Sequence, residues 1–483
     1  HTIVVPEGVD ELQSIAAQAL NSVERELDSP LCLVDLDKID EQFRIWNQAF
    51  DGRVEPFYAI KCNPDPVIIE RLAQLGANFD CASEQELRIV LEVLENLNPN
   101  SPSARRRDLG SRVIFANPCK FRSHFQFARD HGVRKLTFDN LNELEKTKEI
   151  FPSAELVLRI RVDDSQAQCP MSMKFGAAEP SWRSLLEKAK ELELNLKGIS
   201  FHVGSGCTTP GSFKKALTDA ANLFQLVEEE YSSAFPCMDL LDIGGGFPGD
   251  AGTQHFASMV REILQELDAQ VVFRGKRVIA EPGRFFAHQC TSLLTKIYSV
   301  TELPQQQMRT SISTSSPSPK EGEQAGDHEV REQITTTRTS SSKTEDSTTS
   351  STTSNNMSLQ VQSNKKMFRY FLSDGVYGSF NNLVYDHAKP EIPIPLRAQS
   401  MIDNQEDQEL DNHLEVPEDH GSQQLQPSLL FGPTCDGFDL ITQLDLPELR
   451  ENDWLLWKCM GAYTQAAASR FNGMPLPRKY YFR

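Results

Sequence analysis

Lys61 stands at the end of a short apolar run, Val54 to Ile60, that is rich in aromatic and branched residues and is stopped by Asn63-Pro64. Such a run reads as a strand. A lysine there costs free energy unless it is solvated, paired or used covalently, and a lysine amine forms Schiff bases with aldehydes. Taken alone it reads first as a surface or salt-bridged lysine at a strand end. The residues further along the chain change its meaning. Gly244-Gly245-Gly246 follows the run Leu240-Leu241-Asp242-Ile243, so bare backbone amides can approach an anion closely. Glu281-Pro282-Gly283-Arg284 follows Arg277-Val278-Ile279-Ala280, which puts a carboxylate and a guanidinium at another strand end. His202-Val203-Gly204-Ser205-Gly206 adds an imidazole and a hydroxyl in a glycine-rich loop.

The elements that must position these groups alternate along the first part of the chain. From Leu33 to about Leu294, short apolar runs alternate with amphipathic helical stretches. Strands are expected at Phe57–Ile60, Val113–Ala116, Leu156–Ile160, Leu196–Ser200 and Leu240–Ile243. Lys61, Asp80, Arg159, His202, Gly244 and Glu281 sit at or just beyond strand-like runs. The alternation predicts a parallel (β/α)8 barrel, whose chemistry lies at the C-terminal ends of the strands. Beyond about Leu294 the pattern turns β-rich, at Met367–Leu372 and Asp453–Cys459, which fits a second domain of β-sandwich or barrel-like form. A strand-end lysine, phosphate-type loops and a carboxylate together match what pyridoxal phosphate needs: a Schiff-base partner, a phosphate cradle and a ring-nitrogen partner.

Composition narrows the alternatives. At 483 residues the chain exceeds one ordinary domain. Its net charge of −19 argues against a nucleic-acid binder, which needs a basic face. No run approaches the roughly 20 apolar residues of a membrane-spanning helix, and the first residues show no secretory pattern. The ten cysteines lack CxxC or zinc-type spacing, which reads as reduced cytosolic thiols without a metal site. Asn96–Asp108, Gln305–Lys365 and Ser400–Gln426 are poor in apolar residues and read as unstructured surface insertions. The expected organisation is an N-terminal segment, residues 1–35, that contributes to the β domain; a barrel over 36–290; and a C-terminal β domain over 291–483, interrupted at 305–364 and 400–426.

Several motifs, in order along the chain, resemble the ornithine decarboxylase family, pyridoxal-phosphate-dependent enzymes with an alanine-racemase-like barrel. They are Phe57–Asn63, Phe79–Ser83, His202–Gly206, Gly244–Gly249, Glu281–Arg284, Asp374–Asn381, Tyr385–Ala388, Gly432–Gly437 and Gly461–Thr464. The resemblance implies that Lys61 holds the cofactor and exchanges it for the substrate amine. It implies that Glu281 sits against the pyridine nitrogen, with His202 stacked on the ring. Ser205, the Gly244, Gly245 and Gly246 amides, Arg284 and Tyr463 hold the phosphate. Asp80, Glu86 and Arg159 match positions near Lys61, as active-site groups or as a structural ion-pair network on the barrel rim. Cys435 is matched to the thiol that protonates the carbanionic carbon. Asp436 is matched to the carboxylate that receives the distal ammonium, with Asp386 as a second carboxylate and Tyr385 and Phe471 as walls.

The activity implied is decarboxylation of L-ornithine to putrescine, the first step of polyamine biosynthesis, in a cytoplasmic homodimer with shared active sites. Two acids at the far end of the pocket suit a cationic diamino acid. They disfavour diaminopimelate, whose distal carboxylate needs a cation, and Glu281 with Cys435-Asp436 disfavours a racemase. Lysine and other diamino acids remain alternatives, since one methylene is worth about 1–3 kcal/mol. So does a non-catalytic binding protein like the antizyme inhibitors, although Lys61, Asp80, Arg159, Glu281, Cys435 and Asp436 are all present.

Overall fold

The structure is a computed structural model describing residues 11–22, 28–97, 109–164, 172–207, 211–250, 252, 254–303, 366–398, 414–415 and 424–483. Most of the three expected insertions lies outside the described residues. The exceptions correct their edges: Asn96 ends the helix Glu84–Asn96, Leu414–Glu415 is a two-residue strand, and Gln426 opens a longer one.

The first strand, β1 (Leu31–Asp35), precedes a closed, all-parallel barrel. Its eight strands are β2 (Val54–Ala59), β3 (Asn78–Cys81), β4 (Val113–Phe115), β5 (Lys135–Phe138), β6 (Glu155–Arg159), β7 (Asn195–Ser200), β8 (Leu240–Asp242) and β9 (Arg277–Ala280). Strands covered on both faces need no polar alternation, so they read as short continuous apolar runs. Phe57, Ile114, Val157, Leu240 and Ile279 cluster within this set of strands, while a far larger core joins strand and helix residues around Trp46, Phe79, Leu158 and Phe224. The expected barrel is present. Of its strands, β5 escaped the sequence reading, because Lys135 breaks the apolar signal; its buried amine donates to the Ser111 carbonyl at 2.6 Å.

Local signals set the helices beside the site. Asp65 caps Pro66–Leu75, with proline in the first turn and Gly76 in the left-handed conformation (φ 102°) at the end. Ser83 caps Glu84–Asn96 through the Glu86 N–H, and Glu86 reaches back to the Ala82 N–H, a variant of the capping box.

The second unit is a nine-stranded sheet among the described residues. It comprises β1 with β10 (Thr291–Leu303), β11 (Met367–Leu372), β12 (Ile394–Ala398), β13 (Leu414–Glu415), β14 (Gln426–Phe431), β15 (Leu440–Leu446), β16 (Trp454–Trp457) and β17 (Arg478–Phe482). The main path runs β13-β12-β16-β10-β11-β14-β15, and β1 pairs antiparallel with β10 and parallel with β17. Residues from both chain ends thus join one sheet. Trp457, Tyr370, Phe380 and Leu293 are buried in its core, and the Trp457 indole N–H donates to Thr295 Oγ1 at 2.9 Å. Among the described residues no helix is long and apolar enough to cross a membrane, and no cluster of His, Cys, Asp and Glu is suited to hold a metal ion.

Candidate active site

Lys61 lies in a 3-10 turn, Ile60–Cys62, directly after β2 rather than in the strand itself. Its ammonium pairs with Asp80, near the end of β3; the Lys61 side chain is 34 % exposed and Asp80 is 1 % exposed. Burial opposes the charge on Lys61, but Asp80 and then Glu281 outweigh it and raise the amine's pKa. The other Asp80 oxygen is buried and meets no donor among the described residues.

Two more carboxyls lie close by. Glu281 follows β9 and Asp242 closes β8, and both are buried. Asp242 Oδ1 accepts the Gly244 N–H at 2.9 Å. Its second oxygen meets no donor among the described residues, and the Asp242 and Glu281 carboxyls lie within hydrogen-bonding reach of each other, an arrangement that one shared proton satisfies. Burial is the main cause that raises both: Asp242 to about 7, opposed by the Gly244 N–H, and Glu281 well above its ordinary value with Asp242 and Asp80 adding to the effect.

His202 is buried two residues past β7, and its Nδ1 accepts the Gly204 N–H at 2.9 Å. Burial, with the charges of Arg159 and Lys61, holds its pKa well below the ordinary value. The ring is therefore neutral, with its hydrogen on Nε2. A Cβ at Gly245 would lie 2.8 Å from His202 Nε2 and 2.9 Å from the Glu281 carbonyl. Only glycine lets these loops meet.

A cationic end lies next to this cluster. Arg284 Nη2 donates to Ser205 Oγ at 3.2 Å and to Asp386 Oδ1 at 2.6 Å, and its guanidinium lies 5.0 Å from the Tyr463 ring centre. The Tyr463 N–H donates to the Cys62 carbonyl at 2.9 Å. That docking needs Gly461, because a Cβ there would fall 1.7 Å from the Ala287 carbonyl oxygen.

The structure thus brings together Lys61, Asp80, His202, Gly245 and Glu281, and connects Ser205, Arg284 and Tyr463 to the Lys61 turn. Arg159 adds its charge beside His202 and lies 5.3 Å from the Phe175 ring centre. Glu86 spends its carboxylate on the helix start. Asp386, expected to meet substrate, is paired with Arg284, and its neighbour Tyr385 is 70 % exposed.

Cys435, Asp436 and Phe471 are not brought to Lys61. They form an exposed group on the sheet unit, where the Tyr377 hydroxyl and the Phe438 N–H both donate to Asp436. Phe471 stacks on Tyr377 at 4.4 Å, and Asn472 accepts the Cys435 N–H at 3.0 Å. Hydrogen bonding from Tyr377 lowers the Asp436 pKa. The sequence reading assigned no role to Asp242 or Tyr377, although the first stood in a quoted strand-like run and the second in a quoted motif. A carboxyl two residues before a glycine loop was the available signal for Asp242.

A closed βα barrel with a lysine just past one strand, paired acids at two others and an arginine–serine–tyrosine group defines an enzyme of the pyridoxal-phosphate-binding type. Residues 36–288 match the pyridoxal-binding domain of the pyridoxal-dependent decarboxylases, and residues 332–461 match their C-terminal sheet domain. The chain belongs to this family. It is 37 % identical to ornithine decarboxylase of Caenorhabditis elegans over 99 % of this chain and 93 % of that one. It is also 37 % identical to antizyme inhibitor 2 of Xenopus laevis, over 89 % of this chain and 76 % of that one. The crystal structure of the Paramecium bursaria Chlorella virus arginine decarboxylase superposes with a TM-score of 0.73 at 26 % identity, covering 97 % of this chain and all of that one.

The residues present fit the cofactor. Asp80, Asp242 and Glu281 are three buried carboxyls sharing few donors, and a protonated pyridine nitrogen would supply one. At the other end Arg284 and Ser205 offer donors to a phosphate.

Proposed function

We propose that the protein decarboxylates L-ornithine, releasing carbon dioxide and leaving putrescine, and so opens polyamine synthesis. The observation that carries this reading is the Lys61–Asp80 pair beside the Asp242–Glu281 carboxyls, next to the group of Arg284, Ser205 and Tyr463. When bound, pyridoxal phosphate supplies an electron sink for the pair left by a departing carboxylate. Lys61 would hold it through its side-chain amine. Glu281, kept in place by Asp242, would keep its ring nitrogen protonated, and neutral His202 would lie beside it without adding charge. Ser205, the Gly244–Gly246 amides, Arg284 and Tyr463 would hold its phosphate. Asp80 holds the Lys61 ammonium, and Arg159 closes the rim.

Substrate choice falls in part to groups that Lys61 does not reach within its own chain. Cys435 delivers the proton to carbon and Asp436 receives the distal ammonium, with Asp386, on the Arg284 side, as the second carboxylate and Tyr385 and Phe471 as pocket walls. The exposed Cys435, Asp436 and Phe471 support a homodimer in which each copy completes the other's site. A division into a barrel domain over 36–290 and a β domain over 291–483 belongs to the same proposal. So does a cytoplasmic location, supported by nine described cysteines that all stand as free thiols.

Lysine is the second reading, because the pocket acids suit either diamino acid. Incubation of purified protein with ornithine, lysine, arginine and diaminopimelate, followed by identification of the amine, tests it. Putrescine as the main product supports ornithine; cadaverine in greater yield replaces that reading, and no amine from any substrate favours a binding protein of the antizyme-inhibitor kind.

A further inference from the structure

The turn that carries Lys61 is fastened from outside the barrel at three successive points. The Cys62 carbonyl accepts the Tyr463 N–H at 2.9 Å, and Asn63 Nδ2 donates to the Gly461 carbonyl at 2.9 Å. Asp65, with its side chain 2 % exposed, accepts from Lys479 Nζ and from the Tyr481 hydroxyl at 2.9 Å. The other Asp65 oxygen caps the following helix, 2.8 Å from the Val67 nitrogen. One buried carboxylate therefore ties β17 to the segment four residues beyond Lys61. Residues 462–483 lie past both regions that match the family models, and nothing in the proposed chemistry uses Lys479 or Tyr481.

We propose that β17 is a clasp for the Lys61 turn, with Lys479 and Tyr481 acting through Asp65 as positioning residues. This inference rests on the cofactor reading above. A three-residue 3-10 turn has little hydrogen bonding of its own, so its ends decide where the Lys61 amine points. The upstream end is fixed by β2 in the barrel, where the Ala59 N–H donates to the Pro282 carbonyl at 3.2 Å. The downstream end is held at Cys62, Asn63 and Asp65, and of these only Asp65 is held by side chains of β17. Parallel pairing of β17 with β1, from Leu31↔Arg478 to Asp35↔Phe482, sets the strand. Lys479 and Tyr481, two residues apart, then share one face and meet the same carboxylate. Without the lysine, a buried carboxylate retains only neutral donors, and the turn shifts to hydrate it.

The test compares Lys479→Met, Tyr481→Phe, Lys479→Arg and Arg478→Ala in the full chain. Three quantities are read: the pyridoxal phosphate dissociation constant of the cofactor-free protein, the yield of borohydride-fixed pyridoxyl group on the Lys61 peptide, and the thermal midpoint. Lys479→Met weakens cofactor binding roughly tenfold and lowers the Lys61 yield with it, since small misplacements of a reacting group are costly. Tyr481→Phe does the same to a smaller degree. Lys479→Arg restores binding to within about twofold, because it keeps a cation for Asp65, and Arg478→Ala, an exposed neighbour on the strand, changes nothing. Cofactor affinity and Lys61 yield unchanged in Lys479→Met overturn the clasp, whatever happens to the midpoint. Should that variant fail to fold, Tyr481→Phe decides by the same two readouts: both lowered supports the clasp, and both unchanged overturns it. Absence of Lys61 labelling in the wild type overturns the cofactor reading instead, which separates the two failures.

Discussion

Arg284, four residues past the end of β9, donates to Asp386 of the sheet unit at 2.6 Å, and both side chains are largely buried (16 % and 7 % exposed). The same nitrogen reaches Ser205. A phosphate arriving at Ser205 therefore competes with Asp386 for one guanidinium.

That competition predicts the behaviour of Asp386→Asn. Removing one partner of a largely buried pair leaves the other uncompensated, which costs about 3 kcal/mol or more in the cofactor-free protein. Pyridoxal phosphate then stabilises the variant more than it stabilises the wild type, because the anion replaces the lost charge. Denaturation midpoints with and without cofactor check this. Equal stabilisation of both proteins would show that Arg284 does not meet the phosphate.

Lys61 itself is tested by Lys61→Arg, which keeps a cation for Asp80 but cannot form a Schiff base. The variant is expected to fold with a midpoint near that of wild type, to lose roughly a thousandfold or more in turnover, and to show no borohydride-fixed label. A label found on a different lysine of the wild-type protein would move the cofactor elsewhere.

Asp242 and Glu281 give the cofactor-free protein a pH dependence of defined sign. Burial raises both, Asp242 to about 7, so the fold keeps a proton that the unfolded chain releases. The stability this proton contributes is complete below about pH 4, where the unfolded aspartate is also protonated. It is lost as the pH rises through about 7. The thermal midpoint should fall across that window, and Asp242→Asn should flatten the fall. A wild-type midpoint that rises between those values contradicts the bridged pair.

The segment between β10 and β11 is expected to be dispensable. Leu303 and Met367 are register partners on adjacent antiparallel strands, so a short turn can join the strand ends. Replacing residues 305–364 with a short glycine-rich linker should leave turnover within about twofold of wild type, since loop length has only a weak effect on stability. Loss of folding or of turnover would assign the segment a structural part.

Much of this site was legible because barrel strands end in the residues that do chemistry. An apolar run followed by Lys61, Glu281 or a glycine triplet carries its own marker. What was not legible is long-range pairing. Asp242 sits inside an apolar run, and nothing local announces that its carboxyl meets Glu281. Tyr377 and Asp436 lie in separate loops of the sheet unit, so their hydrogen bond emerges only with the fold. Parallel pairing of β1 with β17 joins the two ends of the chain, which no local periodicity records. The Lys61–Asp436 separation has the same origin: both residues carry family motifs, but the motifs do not say whether they meet within one chain.

That question is the most direct test of the account. Lys61→Ala and Asp436→Ala are each expected to be nearly inactive, the first without its cofactor lysine and the second without an ammonium partner. When equal amounts exchange subunits, about half the dimers are mixed, and each mixed dimer has one intact site, so about a quarter of wild-type activity should return. Recovery near that value is the result predicted for sites shared between two copies. A mixture as inactive as its components, with exchange verified by tagged pull-down, would contradict the shared site and require Lys61 and Asp436 to meet within one chain.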